Sequence, residues 1–368
     1  MDLVFSTYYL AAPLVLIDLN ANPIELGLVG TILSTAHMGM ANLMGPLSDR
    51  LGRRRLIITA PVLFVASCLV MTMTRQIKVV LALSILNGLC MSLFWPAFQA
   101  WIADRQAGPE LARDIGSFNM SWTAANLSGP VISGFLFSFY PRLPFLFAAT
   151  ISVILFLLTY TSLQDRKTQP VARIEPVDGE TSTWQKRFLC AVWIANFISW
   201  FIIGNVRYQF PKLARDLNTA PYLIGLLIGC VGFAQFLGFS ILRTSGRWHF
   251  KRIYLLGVQL LAAGGVLLIL LSSKQALFAL ALIMIGLCAS LTYYSSLYYA
   301  VHLIKRKGRG AGIHESVVGS GALSGPILGG IVAQYAGLRS PYLLCLAVLV
   351  IAVAVQFILV GRKNHNTI

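Results

Sequence analysis

The chain has 368 residues, 57% of them hydrophobic and 11% charged, with a mean hydropathy of +0.74. A soluble domain carries roughly 25% charged residues, so this composition excludes an ordinary water-soluble protein and places the chain in lipid. The net charge of +16 has the sign of a nucleic-acid binder, but the positions of the charges, taken up below, exclude that class.

Apolar runs recur at about the 20 residues that a helix needs to cross a hydrocarbon core about 30 Å thick. They predict an all-α membrane protein with twelve transmembrane helices over 3–17, 25–48, 55–74, 78–103, 112–138, 144–163, 188–209, 220–242, 252–272, 276–303, 310–335 and 341–361. A membrane barrel would show weak alternating segments of about ten residues instead. The first run lacks a basic start and a small-residue cleavage site, so it reads as a helix and not as a cleaved signal.

The polar stretch 164–187, with Pro170 and Pro176, divides the chain into six-helix bundles over 1–163 and 188–368 and reads as a linker. Across it the sequence repeats. Gly88-Leu-Cys-Met-Ser-Leu93 matches Gly286-Leu-Cys-Ala-Ser-Leu291, and Leu127-Ser-Gly-Pro-Val-Ile-Ser-Gly134 matches Leu323-Ser-Gly-Pro-Ile-Leu-Gly-Gly330, at offsets of 198 and 196. A parallel six-helix repeat places two bundles around an axis along the membrane normal, with a substrate site between them near the midplane.

With the N-terminus inside, 21 of the 29 Lys and Arg fall on cytoplasmic loops and the C-terminal tail, against eight outside. The positive-inside rule then puts both termini in the cytoplasm of a cell inner (plasma) membrane, and basicity becomes topology, with no nucleic-acid partner. The six cysteines are scattered singly without metal-ligand spacing. No nucleophile elbow, phosphate loop or ATP-binding cassette stands in the chain, so no enzyme, metal or cofactor is expected, and any driving force comes from an ion or solute gradient.

Between the second and third runs stands Gly45-Pro-Leu-Ser-Asp-Arg-Leu-Gly-Arg-Arg-Arg-Leu56. It resembles the signature loop of the major facilitator superfamily, glycine-x-leucine-alanine-aspartate-basic-x-glycine-basic-basic, with Ser48 in place of alanine. Gly45 and Gly52 permit a tight turn, and Arg50 and Arg53 anchor it at an anionic surface. The resemblance implies a cytoplasmic gate in which Asp49 meets the N-terminus of the eleventh segment near Arg309 to Gly312 and Arg53 pairs with Asp104.

A second motif, Gly312, Gly321, Gly325-Pro326 and Gly329-Gly330, resembles the glycine-proline motif that the superfamily's antiporters carry in the fifth helix. Here that helix holds the weaker copy, with Gly129 and Pro130. On the residues alone, Gly129, Pro130, Gly321, Gly325, Pro326 and Gly329 read as a tight, kinked packing seam.

Ionisable residues inside the helices are functional candidates by default. Glu315, beside His314 in the eleventh segment, has two readings, proton exchange shared with His314 or a structural bond to the gate; its repeat partner Asn119 is expected in the substrate cavity. Asp18, Glu25 and Arg207 are expected in outer contacts. In this superfamily the first, fourth, seventh and tenth helices line the cavity. Here they offer Tyr8 and Tyr9; Trp95 and Gln99; Asn196, Trp200 and Asn205; and Tyr293, Tyr294, Tyr298 and Tyr299. Aromatic faces with a few amides suit an uncharged or amphipathic organic solute, and polyanions are disfavoured. The resemblance implies a monomeric secondary transporter working by alternating access, with proton-coupled efflux favoured over uptake or facilitated diffusion of a nutrient, and over a transporter-like sensor or assembly protein.

Overall fold

Helix boundaries follow from local chemistry at the turns. Asn22 and Glu25 form a reciprocal capping box with Pro23 in the first turn, and Ser182 and Gln185 do the same at the start of the seventh helix. That second box carries the helix back to Thr183, five residues before the expected start. Gly52 sits at φ +92°, a left-handed conformation that a side chain resists, and it separates the second and third helices without a loop.

The computed structural model describes residues 1–105, 109–163, 182–244, 246–304 and 307–360. Within them the order is α1 (Asp2–Asp18), α2 (Pro23–Leu51), α3 (Arg53–Met73), α4 (Ile77–Arg105), α5 (Pro109–Phe139), α6 (Leu143–Ser162), α7 (Thr183–Tyr208), α8 (Phe210–Asp216), α9 (Pro221–Thr244), α10 (Arg252–Leu271), α11 (Gln275–Leu303), α12 (Lys307–Ala336) and α13 (Ser340–Val360), with no strand among the described residues. Twelve of these are the expected transmembrane helices. Ten are long and apolar enough, as described, to cross a membrane. Leu271, Met73 and Ile358, each about four-fifths exposed, belong to the apolar outer surface that such a protein turns to lipid. The short α8 was not expected. Seven residues are too few for a periodic signal, and Pro211 reads as a break.

The two bundles repeat each other in contacts as well as in sequence. Gly88 of α4 packs on the Leu33 carbonyl and Ala36 of α2; Gly286 of α11 packs on the Val231 carbonyl and Ala234 of α9, the same pair 198 residues on. The turns Asp18-Leu-Asn-Ala-Asn-Pro23 and Asp216-Leu-Asn-Thr-Ala-Pro221 also correspond, with Asn20 and Asn218 at φ 60° and 57°. Asparagine tolerates that left-handed conformation better than other residues with a side chain. Beyond each turn a glycine meets a proline of the other bundle: Gly27 of α2 lies against the Pro326 carbonyl of α12, and Gly225 of α9 against the Pro130 carbonyl of α5. These two pseudo-symmetric seams join the bundles at the Asn20/Asn218 end.

Inside the second bundle Gln259 of α10 and Gln356 of α13, both buried, exchange amide hydrogen bonds of 2.8 and 2.9 Å. Gln356→Leu leaves the other amide unsatisfied in an apolar setting and is expected to cost about 1–3 kcal/mol, read as a lower thermal midpoint in detergent. The double replacement by leucine should recover most of the loss.

Candidate functional site

A cavity of about 330 Å³ lies between the bundles, with walls from α1, α2, α4, α5, α7, α11 and α12. Toward the Arg50–Arg55 end its lining residues Gln99, Gly312, Glu315 and Ser316 are exposed, and nothing stands within 4 Å of where a Cβ on Gly312 would sit. Toward the other end Gly204 and Tyr208 are buried. The cavity therefore opens at the basic end and is shut by the glycine–proline seams at the other.

The closed end carries a latch built on the α8 segment. Gln209, buried, donates to the carbonyls of Pro23 at 3.1 Å and Pro326 at 3.2 Å, so one amide spans α2 and α12. Lys212 donates to the Ala21 carbonyl at 2.8 Å, Arg215 pairs with Asp18 at 3.2 Å, and Thr31 donates to the Leu323 carbonyl at 2.8 Å. Burial lowers the Lys212 ammonium below its ordinary pKa, while Asp216 and Glu25 act the other way. Exposed ion pairs contribute about 0–1 kcal/mol and bonds to buried groups about 1–3, so Gln209 is the stronger clasp. Gln209→Leu is expected to speed alkylation of a cysteine at position 203 from the Asn20/Asn218 side about tenfold, and Arg215→Ala to leave it nearly unchanged.

The aromatic wall is continuous. Trp122 of α5 stacks at ring-centroid distances of 6.4 Å on Trp200, 5.5 Å on Tyr293 and 6.2 Å on Phe239, and Tyr9 and Trp95 complete the lining. Tyr9 donates its hydroxyl to Met91 Sδ at 3.1 Å. Besides the tyrosines, ionisable side chains enter the lining at four places: Asp2, His37, Arg207 and Glu315. The Arg207 guanidinium lies 5.0 Å from the Tyr9 ring centroid and 5.5 Å from that of Trp200, and donates to Asn126 Oδ1 at 3.4 Å. Glu315 has no hydrogen-bond or ion-pair partner among the described residues.

Of the residues expected here, Tyr9, Trp95, Gln99, Trp200 and Tyr293 meet at the cavity, and Glu315 joins them. Others stand elsewhere. Asn196 donates to Ser296 Oγ at 3.3 Å behind the wall, and Ser296 Oγ lies 2.8 Å from Nδ1 of the buried His314, so His314 is separated from its exposed neighbour. Asn205 donates to the Phe201 carbonyl at 3.0 Å and packs on Gly329. Tyr294 and Tyr298 pack on Trp248 near the basic end, and Tyr8 and Tyr299 are buried in the bundle cores. Arg207 faces the cavity, whereas Asp18 and Glu25 do make contacts at the closed end.

The seam residues pack as small residues allow: Gly129 on Ser6, Pro130 on Gly225, Gly321 and Gly325 on the α7 backbone at Phe197 and Phe201, and Pro326 on Gly204. Of the expected gate, Arg50 is exposed at the end of α2, Gly52 makes the turn and Arg53 opens α3. Gly45, Asp49, Asp104 and Asn119 fall outside the residues whose side chains are described.

His37, Trp122, Asn126 and the inward face of Arg207 went unread in the sequence. His37 and Asn126 are single polar residues on apolar helices, and only the helix rotation that packing imposes shows which way they face.

The profile of the Major Facilitator Superfamily matches residues 1–190 and 192–367. Among curated relatives, the chain is 21% identical to the quinolone resistance protein NorA of Staphylococcus aureus, covering 96% of this chain and 91% of that protein. It is also 21% identical to multidrug resistance protein 1 of Bacillus subtilis, covering 87% and 83%. Among solved structures, a bacterial homologue of the human lysosomal transporter Spinster, in an inward-facing, unoccupied conformation, superposes with a TM-score of 0.76 at 13% identity, covering 98% of this chain and 94% of that one. The nucleoside transporter NupG gives 0.68 at 13% identity over 98% and 99%. With the profile running through both bundles and the architecture shared end to end, the chain belongs to the major facilitator superfamily, a multi-pass membrane transporter of small solutes.

Proposed function

We propose that the protein exports an amphipathic organic solute in exchange for protons, by rocking its two bundles about the cavity. The observation that carries this reading is Glu315, an unpaired carboxyl on the open wall of a cavity within the membrane span. Unpaired, it is free to hold a proton or the cationic group of a solute but not both, and that competition is the physical basis of antiport. The positive-inside distribution supports a cytoplasmic setting for the open, basic end, in which this state receives solute from inside. The resistance functions named for the NorA and Bacillus relatives support outward transport.

The test uses inverted vesicles whose interior has been acidified, with a pH dye reporting the lumen while organic solutes are added. Solute-triggered alkalinisation of the lumen is the expected result. Solute entry without proton movement would replace antiport with facilitated diffusion.

A further inference from the structure

Arg207 presents a problem that the proton chemistry of Glu315 does not solve. A guanidinium is charged at all accessible pH values and has five N–H donors. Inside a membrane span such a charge is costly unless it is compensated. Asp2 and Glu315 line the same cavity, yet no carboxylate among the described residues lies within ion-pair distance of Arg207. Among the described residues, two aromatic faces and one weak bond to Asn126 are what meets it.

The neighbouring donors are also unspent. Asn126 turns its oxygen to Arg207, and its Nδ2 is buried without a partner; the Nε1 of Trp200, a residue only 5% exposed, is buried without one as well. The deep end of the cavity thus offers a guanidinium, an amide N–H₂ and an indole N–H, all donors. Planar carboxylates are what such a fork of donors matches.

We propose that Arg207, with Asn126 and Trp200, is a subsite for one carboxylate, and that the solute is an aromatic molecule carrying a carboxylate at one end and an amine at the other. The inference rests on the export reading for the amine, which takes Glu315. The aromatic body lies along Trp122, Tyr293 and Tyr9. A single guanidinium balances a single negative charge, in keeping with the exclusion of polyanions.

Three fluorescent probes with one aromatic body test the assignment by titration into the purified protein in detergent: 6-(aminomethyl)naphthalene-2-carboxylate carries the two charged groups at opposite ends, 2-(aminomethyl)naphthalene the amine alone and naphthalene-2-carboxylate the carboxylate alone. Hydrogen bonds to a charged group make the doubly charged probe bind about tenfold tighter than the amine-only probe. Arg207→Gln removes that preference while the amine-only probe still binds, which also reports an intact fold. Arg207→Lys keeps part of the preference. Equal affinities of the doubly charged and amine-only probes in the wild type overturn the proposal, as does an equal loss of all three probes in Arg207→Gln, which would make Arg207 a brace for the aromatic wall. Absence of binding by all three likewise overturns it, because the shared aromatic body is part of the claim. Binding is read without a proton gradient, so loss of the carboxylate preference leaves the export reading standing if solute-driven alkalinisation persists.

Discussion

Glu315→Gln is expected to reduce proton-driven solute accumulation to equilibrium while leaving downhill exchange in place at a raised solute concentration, since the lost charge weakens the hold on a cationic group without closing the route. A gradient of one pH unit is worth about 1.4 kcal/mol, enough for about tenfold accumulation at one proton per solute. Inverted vesicles of the wild type should approach that ratio, and vesicles of the variant should stop at unity. The physical reason is that glutamine keeps the shape and hydrogen-bonding capacity of a protonated glutamate but cannot release the proton. Glu315 has no partner among the described residues, so no ion pair is broken by the change and the fold should be undisturbed. Radiolabelled solute counterflow in the absence of a gradient separates the two functions. If the variant still concentrated solute tenfold, the coupling site would have to be placed elsewhere, with Asp2 and His37 the remaining ionisable acid and base in the lining besides Arg207.

The second large effect is expected at the seam that closes the cavity. A side chain on Gly225 would drive its Cβ into the Pro130 carbonyl and the Gly134 backbone, and neither can move aside as a flexible side chain could. Overpacking of this kind costs about 1–3 kcal/mol, and each 1.4 kcal/mol shifts a two-state equilibrium tenfold. Because the cost falls only on the state in which α5 and α9 touch, Gly225→Val should empty that state and leave the individual bundles intact. The readout is cross-linking between cysteines placed at 138 and 222, where the Tyr222 amide donates to Ser138 Oγ at 3.0 Å. Cross-linking and transport should both fall about tenfold or more. Gly257→Val, in α10 with nothing within 4 Å, is the matched control and should change neither. Unaltered cross-linking in Gly225→Val would mean that the seam yields and does not gate.

The twelve long helices were legible because lipid imposes one rule, a run of apolar residues of fixed length, and the repeat was legible because two bundles that pack alike keep the same small residues at the same offset. The site was legible only in part, for a geometric reason. Knowing which helices face the cavity does not fix which side of each helix does. Tyr293 and Tyr294 are adjacent in sequence and stand in different environments, one on the cavity wall and the other against Trp248. Trp122 escaped because α5 was assigned to packing, and it does pack, but one of its faces also reaches the cavity. Arg207 escaped because its position near the end of α7 matches that of an outer contact, while α8 extends the chain beyond it and covers the closed end.

Along α12 the glycines divide by what they touch. Gly321, Gly325 and Gly329 are filled by α7, Gly319 by Met38 of α2, and Gly312 by nothing. Gly319 and Gly321, two positions apart and so about 200° apart around the helix, are filled by different neighbours, and only the positions engaged here contribute to the thermal resistance of this state. Melting experiments on the protein with its basic end open would rank Gly312 as freely replaceable. In the proposed cycle a side chain at position 312 would meet a neighbour only when the basic end closes, so the tolerance of this helix to mutation would be a property of the cycle and not of either endpoint.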